Sequence, residues 1–256
     1  MSAILGIVEV PARSLTAANR PQSIPRPAFL RIEGQLLVEW IIRRVTDSQL
    51  LDSVAVLVDP SQQNALRRAT PTDVNLVVGS EPDALGNFAA AVRRFDASQV
   101  VRVRVDSPFV DPELIDRLIC TANLHPSADY VGYRSQGETP RWQPKLGVFA
   151  EYCRAEAVLE AERIATSSAD RQDSMQFLSS HAEHFEQKMI PIPPALDRDD
   201  VRLTVDVEED WEHAQSIVEA LGPDSLNWHA IAGLLNEQPA MRKRMAVLNQ
   251  AEGSYL

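Results

Sequence analysis

The sequence predicts an α/β fold in which a mainly parallel, mixed sheet is covered by helices, and three observations predict it. Short apolar, β-branched runs alternate with helical patterns along the first half of the chain. The 256 residues and 45% hydrophobic content suffice for one sizeable core. No internal repeat or low-complexity linker divides the chain. Strand, helix, strand in succession requires right-handed crossovers between parallel strands.

The elements follow in order. "AILGIVEV" (3–10) is a continuous apolar run and reads as a buried first strand, and "QLLVEWIIRRV" (35–45) has apolar residues at helical spacing. "SVAVLVD" (53–59) and "VNLVVG" (74–79) read as strands, with a helical pattern, "SQQNALRRA" (61–69), between them. "ALGNFAAAVRRF" (84–95) is a helix, "QVVRVRVD" (99–106) a strand, and "PELIDRLICTAN" (112–123) a helix with proline in its first turn. From 128 to 149 the pattern turns to extended runs broken by Gly and Pro, which suggests a sheet edge or a β-rich excursion. Helices are expected at 151–165 and 171–181, and extended segments at "FEQKMIPIPPAL" and "VRLTVD". "VEEDWEHAQSIVEALG" is a helix whose acidic first turn suits the macrodipole and whose Gly222 is placed to stop it. The tail, 227–256, reads as one or two short helices. We expect a main domain over 1–222 and a helical extension, 223–256, packed on it.

A net charge of −11 argues against general attraction to nucleic acid or an anionic membrane. No segment is long and apolar enough to span a bilayer. Cys120 and Cys153 are too few for a disulfide framework or a cysteine-rich zinc site, which fits a cytoplasmic location. No Gly-x-Ser-x-Gly elbow or Walker A loop is present. His181 and His184 have helical spacing, but a solvated helix end explains them better than a metal site. The basic cluster "MRKRMAV" reads as a helix face or a subunit contact, and a homodimer is compatible with the sequence.

Ligands of open parallel sheets bind beyond the carboxyl ends of the strands. Two acids stand at such ends: Asp106 after "VVRVRV" and Asp206 after "VRLTV". Together they would suit Mg²⁺ facing a triphosphate, a cation that takes one or two carboxylates with phosphate oxygens and water. Either is also in place for a turn or helix cap, so spacing alone leaves both roles open.

Longer stretches narrow the choice. "GSEPDALGNFAAAVRRFDASQVVRVRVDSPFVDPELID", "ADYVGY" and "RLTVDVEEDWEHAQSIVEAL", with "IVEVPARS" and "RIEGQLLVEWIIRRVTDSQLLDSVAVLVD" before them, resemble the sugar-nucleotide cytidylyltransferases. That family includes SpsF-type spore-coat polysaccharide proteins and the CMP-Kdo and CMP-sialate synthetases. The likeness covers most of residues 1–222.

It implies a three-layer nucleotide-diphospho-sugar transferase (GT-A-like) fold and transfer of CMP from CTP, or another nucleotide, to a sugar acceptor with release of pyrophosphate. It implies Mg²⁺ on Asp106 and Asp206, Arg13 as the first-loop arginine on the phosphates, and Ser14, Gly79, Asp83 and Arg102 near the nucleotide, while Arg20, Arg26 or Arg31 are the residues of this loop that could supply the charge of the family's lysine. The chain departs from the family in its first loop. "PARSLTAANRPQSIPRPAFL" has no glycine, sets Pro27 about where the family has lysine, and delays the first lysine to Lys145. Val105 replaces a small residue, "WQPKLGVF" lacks the expected acid, and Asp173 stands at a histidine position. The sequence therefore allows an enzyme with an arginine-based loop, a catalytically reduced nucleotide-binding or regulatory relative, or, less well supported, a metal-dependent glycosyltransferase.

Overall fold

The computed structural model describes residues 3–11, 23–80, 83–136 and 144–253. Seven strands form the central sheet in the order β5-β4-β1-β6-β8-β7-β9. They are β1 (Ile4–Val10), β4 (Ser53–Val58), β5 (Asn75–Val78), β6 (Gln99–Arg104), β7 (Tyr130–Arg134), β8 (Glu151–Arg154) and β9 (Gln187–Pro191). β8 runs antiparallel to both its neighbours and the other pairings are parallel, which is the mainly parallel mixed sheet expected. A separate two-stranded hairpin, β2 (Arg31–Ile32) and β3 (Gln35–Leu36), turns through Glu33 and Gly34, both at positive φ as a two-residue hairpin loop requires.

The alternation of strand side chains sorts the core into two halves. Ile4, Val8 and Val10 of β1 and Val101 and Val103 of β6 join one cluster, with α1 (Leu37–Thr46) and α4 (Pro112–Leu124). α7 (Glu208–Leu221), α8 (Trp228–Glu237) and α9 (Pro239–Gly253) add Trp211, Ile231, Met241 and Met245 to the same cluster. On the other face Leu5, Ile7 and Val100 pack with α3 (Ala84–Phe95) and α5 (Ala155–Ile164). Short helices α2 (Gln63–Leu66) and α6 (Gln176–Ser180) complete the set. The "MRKRMAV" cluster is a helix face: Met241 and Met245 are buried and Arg242 donates to Asp200 at 2.6 Å.

Caps mark several boundaries. Asp111 accepts from the Glu113 amide at the start of α4 and, through its other oxygen, from the Trp228 amide at 2.8 Å, which ties α8 to the sheet. The helix expected at 171–181 is reduced to Gln176–Ser180, because the side chains of Asp173 and Ser174 are drawn into the sheet's interior. The helix expected at 151–165 begins only at Ala155, because Glu151–Arg154 pair into the sheet as β8. The segment 201–206 is a third correction: it forms no strand. Its apolar residues are buried, but its backbone docks irregularly against Lys145 and Asp106. Among the described residues no helix is long and apolar enough to cross a membrane.

Candidate active site

The chain adds β4 and β5 on one side of β1 and then returns to place β6 on the other, so the strand order reverses between the parallel strands β1 and β6. Crevices form beyond the carboxyl ends of strands at such a point. Here a small pocket is walled by Glu9, Pro11, Pro27, Arg104 and Asp106. Asp106 stands in the turn after β6, 4% exposed.

Asp206 reaches the same place by a different route. The Val205 amide donates to the Asp106 carbonyl at 2.8 Å, so the segment that carries Asp206 docks on the turn that carries Asp106. The Leu203 and Thr204 amides both donate to the Lys145 carbonyl, at 2.9 and 3.1 Å. That docking needs Gly147: its φ is +56°, and a Cβ there would lie 2.2 Å from the Leu203 carbonyl oxygen. Asp210, in the first turn of α7, accepts from the Asp206 and Val207 amides at 3.0 and 3.1 Å and holds the turn that presents Asp206.

Each acid is paired with a cation of this chain. Arg104 Nε donates to Asp106 Oδ1 at 3.1 Å and its Nη2 to Oδ2. Lys145 Nζ lies 2.6 Å from Asp206 Oδ2, and the same oxygen accepts from Arg202 Nη2 and Thr204 Oγ1, each at 3.1 Å. Arg202 Nε also donates to Asp210 at 2.7 Å. Among the described residues the three carboxylates Asp106, Asp206 and Asp210 thus face three cations, Arg104, Lys145 and Arg202. This donor set does not fit Mg²⁺, which needs carboxylate oxygens carrying uncompensated charge. Among the described residues no group of three or more His, Cys, Asp or Glu could hold a metal ion.

Beside the pocket lies a buried charge cluster. Arg102 is 2% exposed, and its Nε, Nη1 and Nη2 donate to Glu9 (2.7 Å), Glu151 (2.7 Å) and Asp173 (2.9 Å) respectively. Ser174 Oγ donates to Glu9 at 2.8 Å and Tyr130 Oη to Glu151 at 2.9 Å. Burial pushes the Glu151 carboxyl up and outweighs the pull of Arg102. Burial acts the same way on Asp173, but there Arg102 and Arg104, with the Met175 amide, outweigh it and hold the carboxyl below its usual range.

The other sequence-derived candidates are distributed as follows. Arg13, Ser14 and Arg20 lie outside the described residues. Arg26 is exposed, whereas its neighbour Pro27 is buried and lines the pocket. Gly79 follows β5, where a Cβ would press within 2.7 Å of the Asn87 amide group. Asp83 caps α3 through the Gly86 amide at 2.9 Å and pairs with Arg171 at 2.6 Å. Arg102 borders the pocket with all three guanidinium nitrogens engaged by carboxylates. Sequence reasoning missed Arg104, Lys145 and Arg202 as partners of the two acids. The alternation "RVR" places Arg102 and Arg104 on one strand face and was the available signal for Arg104.

Residues 23–185 match the model of the MobA-like NTP transferase domain. The spore coat polysaccharide biosynthesis protein SpsF of Bacillus subtilis is 27% identical over 164 residues, 63% of this chain and 64% of SpsF, so the match spans slightly under two thirds of that relative. A cytidylyltransferase structure from Leptospira borgpetersenii superposes with a TM-score of 0.75 at 16% identity, covering 93% of this chain and 95% of that one. A manganese complex of Rv0371c from Mycobacterium tuberculosis superposes with a TM-score of 0.57 at 16% identity, covering 84% and 99%. These superpositions confirm the GT-A-like architecture. With its family model matched over most of the central sheet, the chain belongs to the MobA-like NTP transferases.

Proposed function

We propose that the protein binds CTP beyond the carboxyl ends of β1 and β6 and transfers CMP to a sugar acceptor, releasing pyrophosphate, as a step in polysaccharide or glycoconjugate synthesis. The observation that carries this reading is the docking of the Asp206 segment on the Asp106 turn, through the Val205 amide, at the point where the strand order reverses, with Lys145 and Arg104 fixed on the two acids. The name of SpsF and the Leptospira cytidylyltransferase support the nucleotide and the pathway class.

In this transfer an acceptor oxygen bonds to the α-phosphorus as the bond to the bridging oxygen breaks, and pyrophosphate leaves with the electron pair. The acceptor's proton passes to a base or to solvent. Charge grows on the leaving group, so positioned cations lower the barrier. Lys145 and Arg104 are the cations that the site holds in place for this, with Asp206 and Asp106 fixing their direction. No step is assigned to a metal, because both acids are already matched by cations.

One observation favours a second reading, a catalytically reduced homologue that binds nucleotide or a partner without turnover. The Ile24 amide donates to the Asp206 carbonyl at 2.8 Å and Pro27 is buried beside Asp106, so part of the first loop packs directly on both acids. Proline also removes an amide that would otherwise cradle phosphate. Incubation with CTP and a panel of acidic sugars, followed by ³¹P NMR, separates the readings. Pyrophosphate formed only with an acceptor present supports transfer. CTP binding with no pyrophosphate supports the reduced reading. Absence of CTP binding contradicts transfer from CTP and leaves the reduced homologue only as a binder of a partner or another nucleotide.

A further inference from the structure

We propose that the two aspartates of this site, already paired with Arg104, Lys145 and Arg202, hold no divalent cation, so that polyphosphate binding does not depend on a metal there. The part concerning polyphosphate rests on the nucleotide site proposed above. The part concerning metal rests on the donor set alone.

The pairing is built into the fold. Lys145 supplies both the ammonium, on Asp206 Oδ2, and the carbonyl that accepts the Leu203 and Thr204 amides, so the cation and the segment bearing its acid are locked together by backbone contact. Gly147 permits that close approach. The Lys145 side chain is 18% exposed and that of Asp206 is 3% exposed, so this is not a solvated surface pair. Arg104 engages both oxygens of Asp106 in a planar fork, the geometry in which a guanidinium binds a carboxylate most firmly.

A metal at Asp206 Oδ2 or within the Asp106 fork would have to displace these donors. Asp206 Oδ2 already accepts from an ammonium, a guanidinium and a hydroxyl, and a carboxylate oxygen so occupied has little left for a hard cation. Like-charge repulsion from Arg104, Lys145 and Arg202 adds to that cost, because the low-dielectric surroundings screen it weakly.

Two measurements on the full chain test the proposal. The first is titration of Mn²⁺ alone, read by the electron paramagnetic resonance signal of free ion. The parent is expected to leave Mn²⁺ free, and Mn²⁺ that binds the parent but not Asp206→Asn would overturn the proposal. The second is calorimetric binding of CTP in EDTA and in excess Mg²⁺. The two affinities are expected to agree within about threefold, and Lys145→Ala to weaken binding in EDTA by about tenfold or more, the worth of a charge-assisted hydrogen bond. CTP binding that requires Mg²⁺, or is strengthened about tenfold by it, would overturn the proposal. If CTP binds under neither condition the nucleotide reading fails, and the Mn²⁺ titration alone decides whether the aspartates hold metal.

Discussion

Replacing Arg102 by methionine would leave Glu9, Glu151 and Asp173 facing one another with their shared cation gone. The side chain is 2% exposed and donates to all three carboxylates within 2.9 Å, so each loses a charge-assisted bond in a place water does not easily reach. Removing one partner of a buried ion pair costs roughly 3 to 5 kcal/mol, and the loss here belongs in the upper part of that range because three acids share the cation. For a chain of this size a loss of about 4 to 5 kcal/mol lowers the melting midpoint by roughly 8 to 20 °C.

The pH dependence gives a sharper signature. In the parent, Asp173 is held below its usual range, so its stabilising contribution is present above the unfolded value and disappears only as pH falls through the depressed folded value, below about pH 4. Glu151 is raised, so its contribution is full below its unfolded value and is lost as pH rises through the folded one. Without Arg102 both carboxyls move up, and the variant should regain stability on acidification from neutral pH towards pH 5. Urea unfolding of parent and variant at several pH values measures this. A loss under about 1 kcal/mol, or a gap between parent and variant that does not narrow in acid, would refute the description of Arg102 as the cation on which this cluster depends.

Other consequences can be measured independently. Gly147→Ala places a Cβ against the Leu203 carbonyl at positive φ, and should lower stability by about 1 to 3 kcal/mol and weaken CTP binding by displacing Lys145; a variant matching the parent in both respects would contradict the docking described. Asp111→Ala removes the cap of α4 and the acceptor for the Trp228 amide, and should cost about 1 to 2 kcal/mol in chemical unfolding, with hydrogen exchange in α8 accelerated. Burial, which lowers the proton affinity of the His213 imidazole and is reinforced by Arg244, makes its neutral form the folded one. Stability tied to His213 is therefore present above its unfolded value and lost as pH falls through the lower folded one, and His213→Phe should flatten the stability profile as pH falls below the ordinary imidazole value of about 6.5. Cys153 is buried and its thiol is pushed well up by burial, then by Glu151, whereas Cys120 is exposed. A thiol reagent should label one cysteine per native chain and both after unfolding.

The strand order itself was not in the sequence, but the elements that position the site were. Continuous apolar runs marked β1, β4 and β6, and the acid closing "VVRVRV" marked the end of a central strand. Asp206 was legible for the same reason although its run forms no strand, since burial of Val201, Leu203 and Val205 produces the same alternation whether the backbone joins a ladder or docks irregularly. What pairs with those acids was not legible. Lys145 stood out only as the first lysine, and its partner lies 61 residues away across a contact made by backbone amides, which side-chain pattern does not report. The Arg102 cluster draws on carboxylates 93, 49 and 71 positions distant, so "RVR" shows a charged strand face without showing what neutralises it. Shortening of α6 has the same origin: Asp173 and Ser174 fit a helix locally, and the buried charges of the sheet claim them instead.

The measurement that tests the central claim most directly is equilibrium binding of CTP to the parent, to Asp106→Asn and to Lys145→Ala, at fixed ionic strength. Saturable binding by the parent, weakened about tenfold or more by Lys145→Ala and altered by Asp106→Asn, is what a nucleotide site beyond β1 and β6 predicts. Binding unchanged in both variants would place the nucleotide elsewhere, and no binding by the parent would contradict the account.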